Sequence, residues 1–481
     1  MKNHINLIFL FFATFSIFAQ LPADSIRAIA KKAVADKRSK SIIIGIIDAE
    51  GRTVVREGII SDEHPVLPDE NTIYEIGSIT KVFTALALAE MSLKNQLNLT
   101  DPVSKFLTKG TKLPVKNGKE ISLLNLATHR STLPRFPYNV DPKDLDKPYA
   151  DYTQKKMFEY LSNFQPDIDI DSKWRYSNTG YGLLGYVLTS VSKRRNYETL
   201  IKEEICQPLN MNHTVITMTD DMNKNKATGY TEYGKPTNSV VLSAIEAGGG
   251  IRSNLHDMFT FAAVNLGFIK SDLFPAMELT HIKQSKKENH LGYATLGWTF
   301  WDDEGQDIVF KDGGTPGFSS FIGIDKKNKR GVIILSNSGN GVTDIGLHIL
   351  HPEYKMELYR YSWKLLDTLR STVNIEGVDQ AIQLYKKLKT SSTDAEFIFN
   401  ENQLNYLGHE LRRSKRLKDA VKIFELNESE YPKSTLVYES LGEVYKRSHE
   451  HKKAIEYFEK ARELEPQNPH WSFIISRLKN E

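Results

Sequence analysis

Cysteine is nearly absent: Cys206 is the only one. A single thiol can form no internal disulfide and no cysteine-based zinc site. Its place near the end of a helical-looking run reads as a buried side chain rather than a catalytic one. An excess of charge of either sign is also missing. Lys and Arg total 63 against 60 Asp and Glu, a formal net charge of +3, which argues against a broad nucleic-acid or anionic-membrane surface. After the first residues there is no run of the ~18 uncharged apolar residues that a membrane span needs. What is present is globular composition: 40% hydrophobic, 26% charged and 10% aromatic over 481 residues. That supports a sizeable core and two or three domains of ~100–200 residues each.

The chain opens MKNHINLIFLFFATFSIFAQ, with Lys2 ahead of an apolar run from Ile5 to Phe18 and a small Ala19 before Gln20. This is the pattern of a secretory signal, too short for a ~20-residue bilayer span. Gln20, not a cysteine, directly follows Ala19, which argues against a lipid-modified end. The expectation is a signal peptide over residues 1–19 and a periplasmic or secreted mature protein with no membrane span.

Ser25–Asp36 reads as a first helix. Ser41–Asp48 and Arg52–Ile59 are β-rich runs around Ala49-Glu50-Gly51, a hairpin signal. Ile79–Leu93 has helical apolar spacing. After a mixed middle, Phe318–Asp325 and Gly331–Ser336 are strand-like again. Strands early and late, with helices between, predict one antiparallel sheet built from both ends of an α+β domain.

The C-terminal part repeats itself. Laid over residues 435–468, residues 401–434 place Leu407-Gly408 on Leu441-Gly442, Leu411 on Tyr445, Ala420 on Ala454, Phe424 on Phe458 and Pro432 on Pro466. A period of 34 resembles the tetratricopeptide repeat of paired helices. Val378–Leu388 reads as part of a degenerate repeat and His470–Lys479 as a capping helix. The expected division is an α+β domain over 20–360, a connector with a degenerate helical repeat over 361–400, and repeats with a capping helix over 401–481.

Three short elements carry chemistry. Ser78-Ile79-Thr80-Lys81 places a hydroxyl and an amine three residues apart, on one face of a helix. A desolvated lysine can take the proton that a serine must lose to become a nucleophile. Tyr176-Ser177-Asn178 offers a phenol for proton transfer and an amide to orient its neighbours. Lys311-Asp312-Gly313-Gly314-Thr315-Pro316-Gly317 offers a cation and strand-edge N–H groups. Alone, each is weak. Ser190-x-x-Lys193 and Ser476-x-x-Lys479 repeat the first, and Lys116-x-Gly118 and Lys329-x-Gly331 repeat the third.

Taken in order, the three elements resemble the class C β-lactamase and penicillin-recognising serine hydrolases. Tyr74–Ser78, Leu126–Pro134, Arg175–Tyr181, Pro208–Met211, Ala247–Ser253 and Gly313–Ser320 agree with that family's segments, and the resemblance covers roughly residues 25–350. It implies a β-lactamase-like fold, an antiparallel sheet flanked by helices plus a helical subdomain, followed here by the all-α repeats. It also implies that Ser78 is acylated, that Lys81 and Tyr176 exchange its proton, and that Asn178 contacts lysine and substrate. Lys311 would assist the tyrosine or bind a substrate carboxylate. The N–H groups of Ser78 and Gly314 would form the oxyanion hole, with Gly313 beside them in the substrate-binding stretch. No metal or organic cofactor is required.

Three positions depart from the family pattern. Asp312 stands where a hydroxyl residue usually does, Thr132 replaces a glycine and Arg130 a threonine. His129 reads as a satisfied structural histidine. The resulting expectation is an exported serine hydrolase acting on a β-lactam, a D-amino-acid peptide or a small ester. The alternatives are a DD-peptidase or esterase without antibiotic turnover, and a repeat-based scaffold or sensor that recruits a protein partner.

Overall fold

The structure is a computed structural model that describes residues 21–480 apart from 145, 286, 290, 291, 302–306, 358, 360–362, 392–396 and 467. The expected signal over 1–19 lies outside the described residues. Among these, no helix is long and apolar enough to cross a membrane.

The N-terminal part is built on one antiparallel sheet. Its strands are β1 (Ser41–Asp48), β2 (Gly51–Gly58), β3 (Lys287–Asn289), β4 (Gly292–Ala294), β5 (Thr299–Trp301), β6 (Ile308–Thr315), β7 (Phe318–Asp325) and β8 (Arg330–Ser336), in the order β2-β1-β8-β7-β6-β5-β4-β3. The first hairpin therefore docks against the last strand, with Ile42 opposite Ser336 and Ile47 opposite Gly331. The run Ser41-Ile-Ile-Ile-Gly-Ile-Ile is apolar throughout because both faces of the sheet are covered. Side chains alternate along a strand: Ile43 and Ile47 enter the core on one face, and Ile42, Ile44 and Ile46 enter the core on the other.

The first core lies under helices α2 (Thr80–Leu93), α3 (Asn178–Ser192) and α4 (Leu255–Asn265). Helix α2 is apolar nearly all round and sits at the centre, so Lys81 in its first turn is fully buried. The second core lies under α1 (Ala23–Ala35) and α5 (Thr343–Leu350). A buried ion pair ties that side together: the Arg38 guanidinium donates to Asp344 Oδ2 at 3.0 Å and to the Gly341 carbonyl at 2.9 Å. This is the α+β, β-lactamase-like architecture that the motifs implied.

The C-terminal part is all helix: α6 (Lys364–Ile375), α7 (Val378–Ser391), α8 (Glu401–Arg413), α9 (Leu417–Glu430), α10 (Thr435–Arg447), α11 (His451–Leu464) and α12 (Pro469–Lys479). The sequence repeat is a structural repeat. Gly408 lets the Phe424 ring approach to where a Cβ would be 2.4 Å away, and Gly442 does the same for Phe458 at 2.6 Å. One side of this stack rests on the N-terminal part. Helix α8 contributes Glu410 to Lys235 at 2.7 Å and Arg413 to Asp146 at 3.3 Å, and α12 contributes Arg477 to Asp141 at 2.7 Å. Tyr233 leaves the N-terminal part to join the helical core, its ring 4.7 Å from Tyr406 and 5.6 Å from Trp363.

Candidate active site

The serine is set by the strand that precedes it. Tyr74 and Glu75 pair with Ser253 and Arg252, and the Ile251 amide donates to Thr80 Oγ1 at 3.0 Å. Ser320 Oγ on β7 donates to the Ile76 carbonyl at 2.9 Å, so the sheet grips the residue two before the serine. Gly77 then turns with φ +48, and Ser78 sits in a single 3₁₀ turn, Gly77–Ile79, that feeds α2. The sequence places Ser78 at a helix N-terminus; the structure refines this to a tight turn just ahead of it.

Ser78 Oγ accepts from Tyr176 Oη at 2.5 Å and from Lys81 Nζ at 3.2 Å. The Lys81 amine is held further by Asn178 Oδ1 at 2.7 Å and the Gly248 carbonyl at 2.5 Å. Burial pushes Lys81 down to about 8, against attraction from Tyr176 and with help from the charges of Lys311 and Arg135. Three cations surround the Tyr176 ring: Lys81 Nζ at 4.6 Å, Arg135 Cζ at 5.4 Å and Lys311 Nζ at 5.5 Å from its centroid. Burial alone would raise the phenol, but the charges of Lys81 and Lys311 outweigh it and hold Tyr176 below its ordinary value.

The tyrosine segment is pinned by the Leu126–Pro134 stretch. Ser177 caps α3, accepting from the Gly180 amide, and its hydroxyl donates to the Pro134 carbonyl at 2.8 Å. The Ser177 amide donates to His129 Nδ1 at 3.1 Å, and the His129 ring lies 4.4 Å from that of Tyr176. Burial, together with Lys81 and Lys311, holds His129 well below its ordinary value, so it is a neutral support. Arg130 turns away from the cleft to Asp171, with Nε at 2.8 Å. Thr132 carries the cost of replacing a glycine: its backbone is left-handed at φ +66 and its hydroxyl is buried without a partner.

Strand β6 forms the opposite wall. Phe310 is the last residue of β6 that pairs with β5, so among the described residues Lys311 to Thr315 present a free strand edge. Lys311 Nζ pairs with Asp312 at 3.0 Å, and the Asp312 side chain is half exposed on the cleft. Burial would lower Lys311, but the Asp312 and Tyr176 charges raise it; Lys311 in turn holds Asp312 low. The two glycines face opposite ways. A Cβ on Gly314 would meet nothing within 4 Å, whereas one on Gly313 would strike the Ile76 carbonyl and Ser320 Oγ. Gly314 lines the cleft; Gly313, grouped with it on sequence, packs behind it, because successive residues of a strand alternate sides. The resulting cavity has a volume of about 740 Å³. Arg135 and Gly248 join this constellation without a motif role of their own; each adjoins or lies in a segment quoted above, and only chain packing brings them to Tyr176 and Lys81. Cys206 is buried far from this chemistry among apolar neighbours, its thiol pushed up to about 12.

The β-lactamase family model matches residues 26–349. The chain belongs to the β-lactamase family. It is a serine hydrolase of that family with a tetratricopeptide repeat match over residues 436–468. It is 27% identical over 305 residues to a β-lactamase of Yersinia enterocolitica, covering 56% of this chain and 74% of that one. It is also 27% identical over 308 residues to the D-alanyl-D-alanine-carboxypeptidase/endopeptidase AmpH of Escherichia coli K12, covering 61% and 78%. In fold it is similar to the class C β-lactamase of Rhodobacter sphaeroides, with a TM-score of 0.57 at 21% identity over 66% of this chain and 94% of that one.

Proposed function

We propose that this β-lactamase-family hydrolase is exported and works through an acyl-Ser78 intermediate on an amide or ester. The observation that carries this reading is the position of Ser78 Oγ between Tyr176 Oη and Lys81 Nζ, at 2.5 and 3.2 Å. As Ser78 attacks the carbonyl carbon, its proton passes to the Tyr176–Lys81 pair and on to the departing nitrogen or oxygen. The oxyanion forms between the Ser78 and Gly314 amides. A water then attacks the acyl-serine, gives its proton to the same pair, and releases the acid. Asn178 orients Lys81. The free edge of Lys311 to Thr315 receives the substrate backbone.

Among relatives, the names point to β-lactams and to D-alanyl peptides. Asp312 favours esters and amides whose leaving group carries no carboxylate over β-lactams and over peptides that end in a free D-alanine carboxylate. Its carboxylate occupies the Lys311 charge that a substrate carboxylate would seek, and repulsion between two such anions is worth about 1 kcal/mol or more in a partly desolvated cleft. Export is supported by the apolar N-terminal run. A protein partner on the repeats is the second element of this reading, supported by the tetratricopeptide match; failure of the purified full chain to retain any member of a synthetic peptide library removes it.

The test is intact mass over time after mixing the protein with a cephalosporin, a small activated ester or a D-alanyl-D-alanine peptide. An adduct that is absent in Ser78→Ala supports the acyl-serine reading. Turnover persisting in Ser78→Ala overturns it.

A further inference from the structure

A second cavity, of about 700 Å³, lies between the two parts of the chain. The hydrolase part contributes the stretch Thr231–Asn238, and helix α8 contributes Tyr406, Glu410 and Arg413. It shares its Thr315–Pro316 wall with the catalytic cleft. Thr315 ends the free edge of β6, one step beyond Gly314, and Pro316 follows it. A chain laid along that edge from Lys311 past Gly314 therefore leaves the cleft at Thr315–Pro316 and enters the second cavity.

The lining defines what fits. Glu410 is shared between Lys235 at 2.7 Å and a two-bond grip from Arg370, 2.9 Å each, while Arg413 pairs with Asp146. Glu410 and Asp146 are thus matched by cations, and the third lining carboxylate, Glu232, accepts from the Tyr406 hydroxyl, so the lining holds no excess of positive charge and disfavours a polyanion. Lys235 and Arg413 side chains remain 42% and 41% exposed, so both keep donors facing solvent. Tyr233 and Tyr406 supply an aromatic wall. Balanced charge, exposed donors and aromatic faces suit a neutral, amide-rich chain better than an apolar one.

We propose that the repeat module completes the substrate site: the acyl-side arm of an extended, roughly neutral peptide substrate runs along β6 and over Thr315–Pro316 into the cavity walled by α8. This rests on the acyl-Ser78 reading above. At ~3.3 Å per residue, an arm of about three residues reaches beyond the catalytic cleft.

The experiment compares two p-nitrophenyl esters of D-alanine with the same leaving group, one N-acetylated and one bearing an N-acetyl-triglycyl arm. We expect kcat/KM to favour the longer ester by about tenfold or more. Lys235→Ala with Arg413→Ala should bring the long-to-short ratio toward one, mainly through KM, and Arg413→Lys should restore part of it. Equal kcat/KM for both esters in the parent protein overturns the proposal. So does an equal fall with both esters in the double variant, which would mark a structural role. Acylation of Ser78 by the short ester separates the two readings: if it occurs and the arm brings no gain, only the extended site fails. If neither ester acylates Ser78, the acyl-serine reading falls and takes this proposal with it.

Discussion

Gly77 packs against the backbone of Gly314 beside Ser78: a Cβ placed on Gly77 would lie 2.7 Å from the Gly314 nitrogen. The left-handed backbone at Gly77 and the absence of a side chain there thus let the Gly314 backbone lie close to Ser78. Gly77→Ala should lower the acylation rate about 100-fold, the loss typical of one oxyanion donor. It should also destabilise the fold by about 1–2 kcal/mol, from the positive φ and the clash. Stopped-flow acylation and denaturant unfolding measure the two; normal acylation in a folded Gly77→Ala protein would refute the placement of the oxyanion hole.

Tyr176→Phe removes the hydroxyl that lies 2.5 Å from Ser78 Oγ but keeps the ring that packs on His129. Acylation should fall by about 10²–10⁴-fold, the range for loss of a proton-transfer group, with thermal unfolding nearly unchanged. A fall of less than about tenfold would assign the proton to Lys81 alone.

The pH profile follows from the same pair. Burial lowers Lys81 to about 8, and its neighbours hold Tyr176 below its ordinary value. With both groups protonated, Ser78 has no acceptor. The acylation rate should therefore rise with pH and level off above about 8, as one apparent titration of the coupled pair. A rate independent of pH between about 6 and 8 contradicts this. Stability carries the same sign. The unfolded chain binds the Lys81 proton more tightly than the folded one, so this group lowers stability below about 8 and the penalty fades as pH rises toward the ordinary lysine range.

Asp312→Thr replaces the cleft anion that pairs with Lys311. For substrates with a carboxylate beside the scissile bond, cephalosporins among them, kcat/KM should rise by about fivefold or more, the equivalent of ~1 kcal/mol. Substrates without that carboxylate should gain nothing. An equal change for both classes would show that Asp312 acts only by holding Lys311.

Thr132→Gly should stabilise the fold by about 1 kcal/mol, because it relieves a left-handed β-branched residue and removes a buried hydroxyl that lacks a partner. The shift in denaturant midpoint measures it; a loss of stability would mean that the Thr132 methyl packs better than its backbone suffers.

That Ser78, Lys81, Tyr176, Asn178 and Lys311 meet in one cleft was legible because each sits in a short motif whose spacing is set by local geometry. Ser78 and Lys81 share one turn, and Tyr176 and Asn178 flank one helix cap. The α+β sheet was legible in the two β-rich ends, and the repeats in their fixed period. Arg135 and Gly248 were not, since they reach Tyr176 and Lys81 only after distant segments pack. The split between Gly313 and Gly314 was also hidden: a glycine pair has no side chain to reveal which member faces in. Least legible was the seam between the parts of the chain. The pairs Lys235–Glu410, Asp146–Arg413 and Asp141–Arg477 join charged residues that individually read as ordinary solvated surface.

The position of the first hairpin in the sheet also governs when this protein becomes itself. Ser41 donates to the Asn337 side chain, 296 residues away, and β1 lies between its own hairpin partner and β8, the last strand to be made. Closing so long a loop is entropically slow. Ser320, which grips the backbone ahead of the serine, belongs to the same late-arriving strands. A nascent chain that has already emerged past Ser78 and Tyr176 therefore holds its reactive residues unassembled. The setting of Ser78 seen here thus exists only once the end of the sheet has been synthesised and has paired beside its beginning.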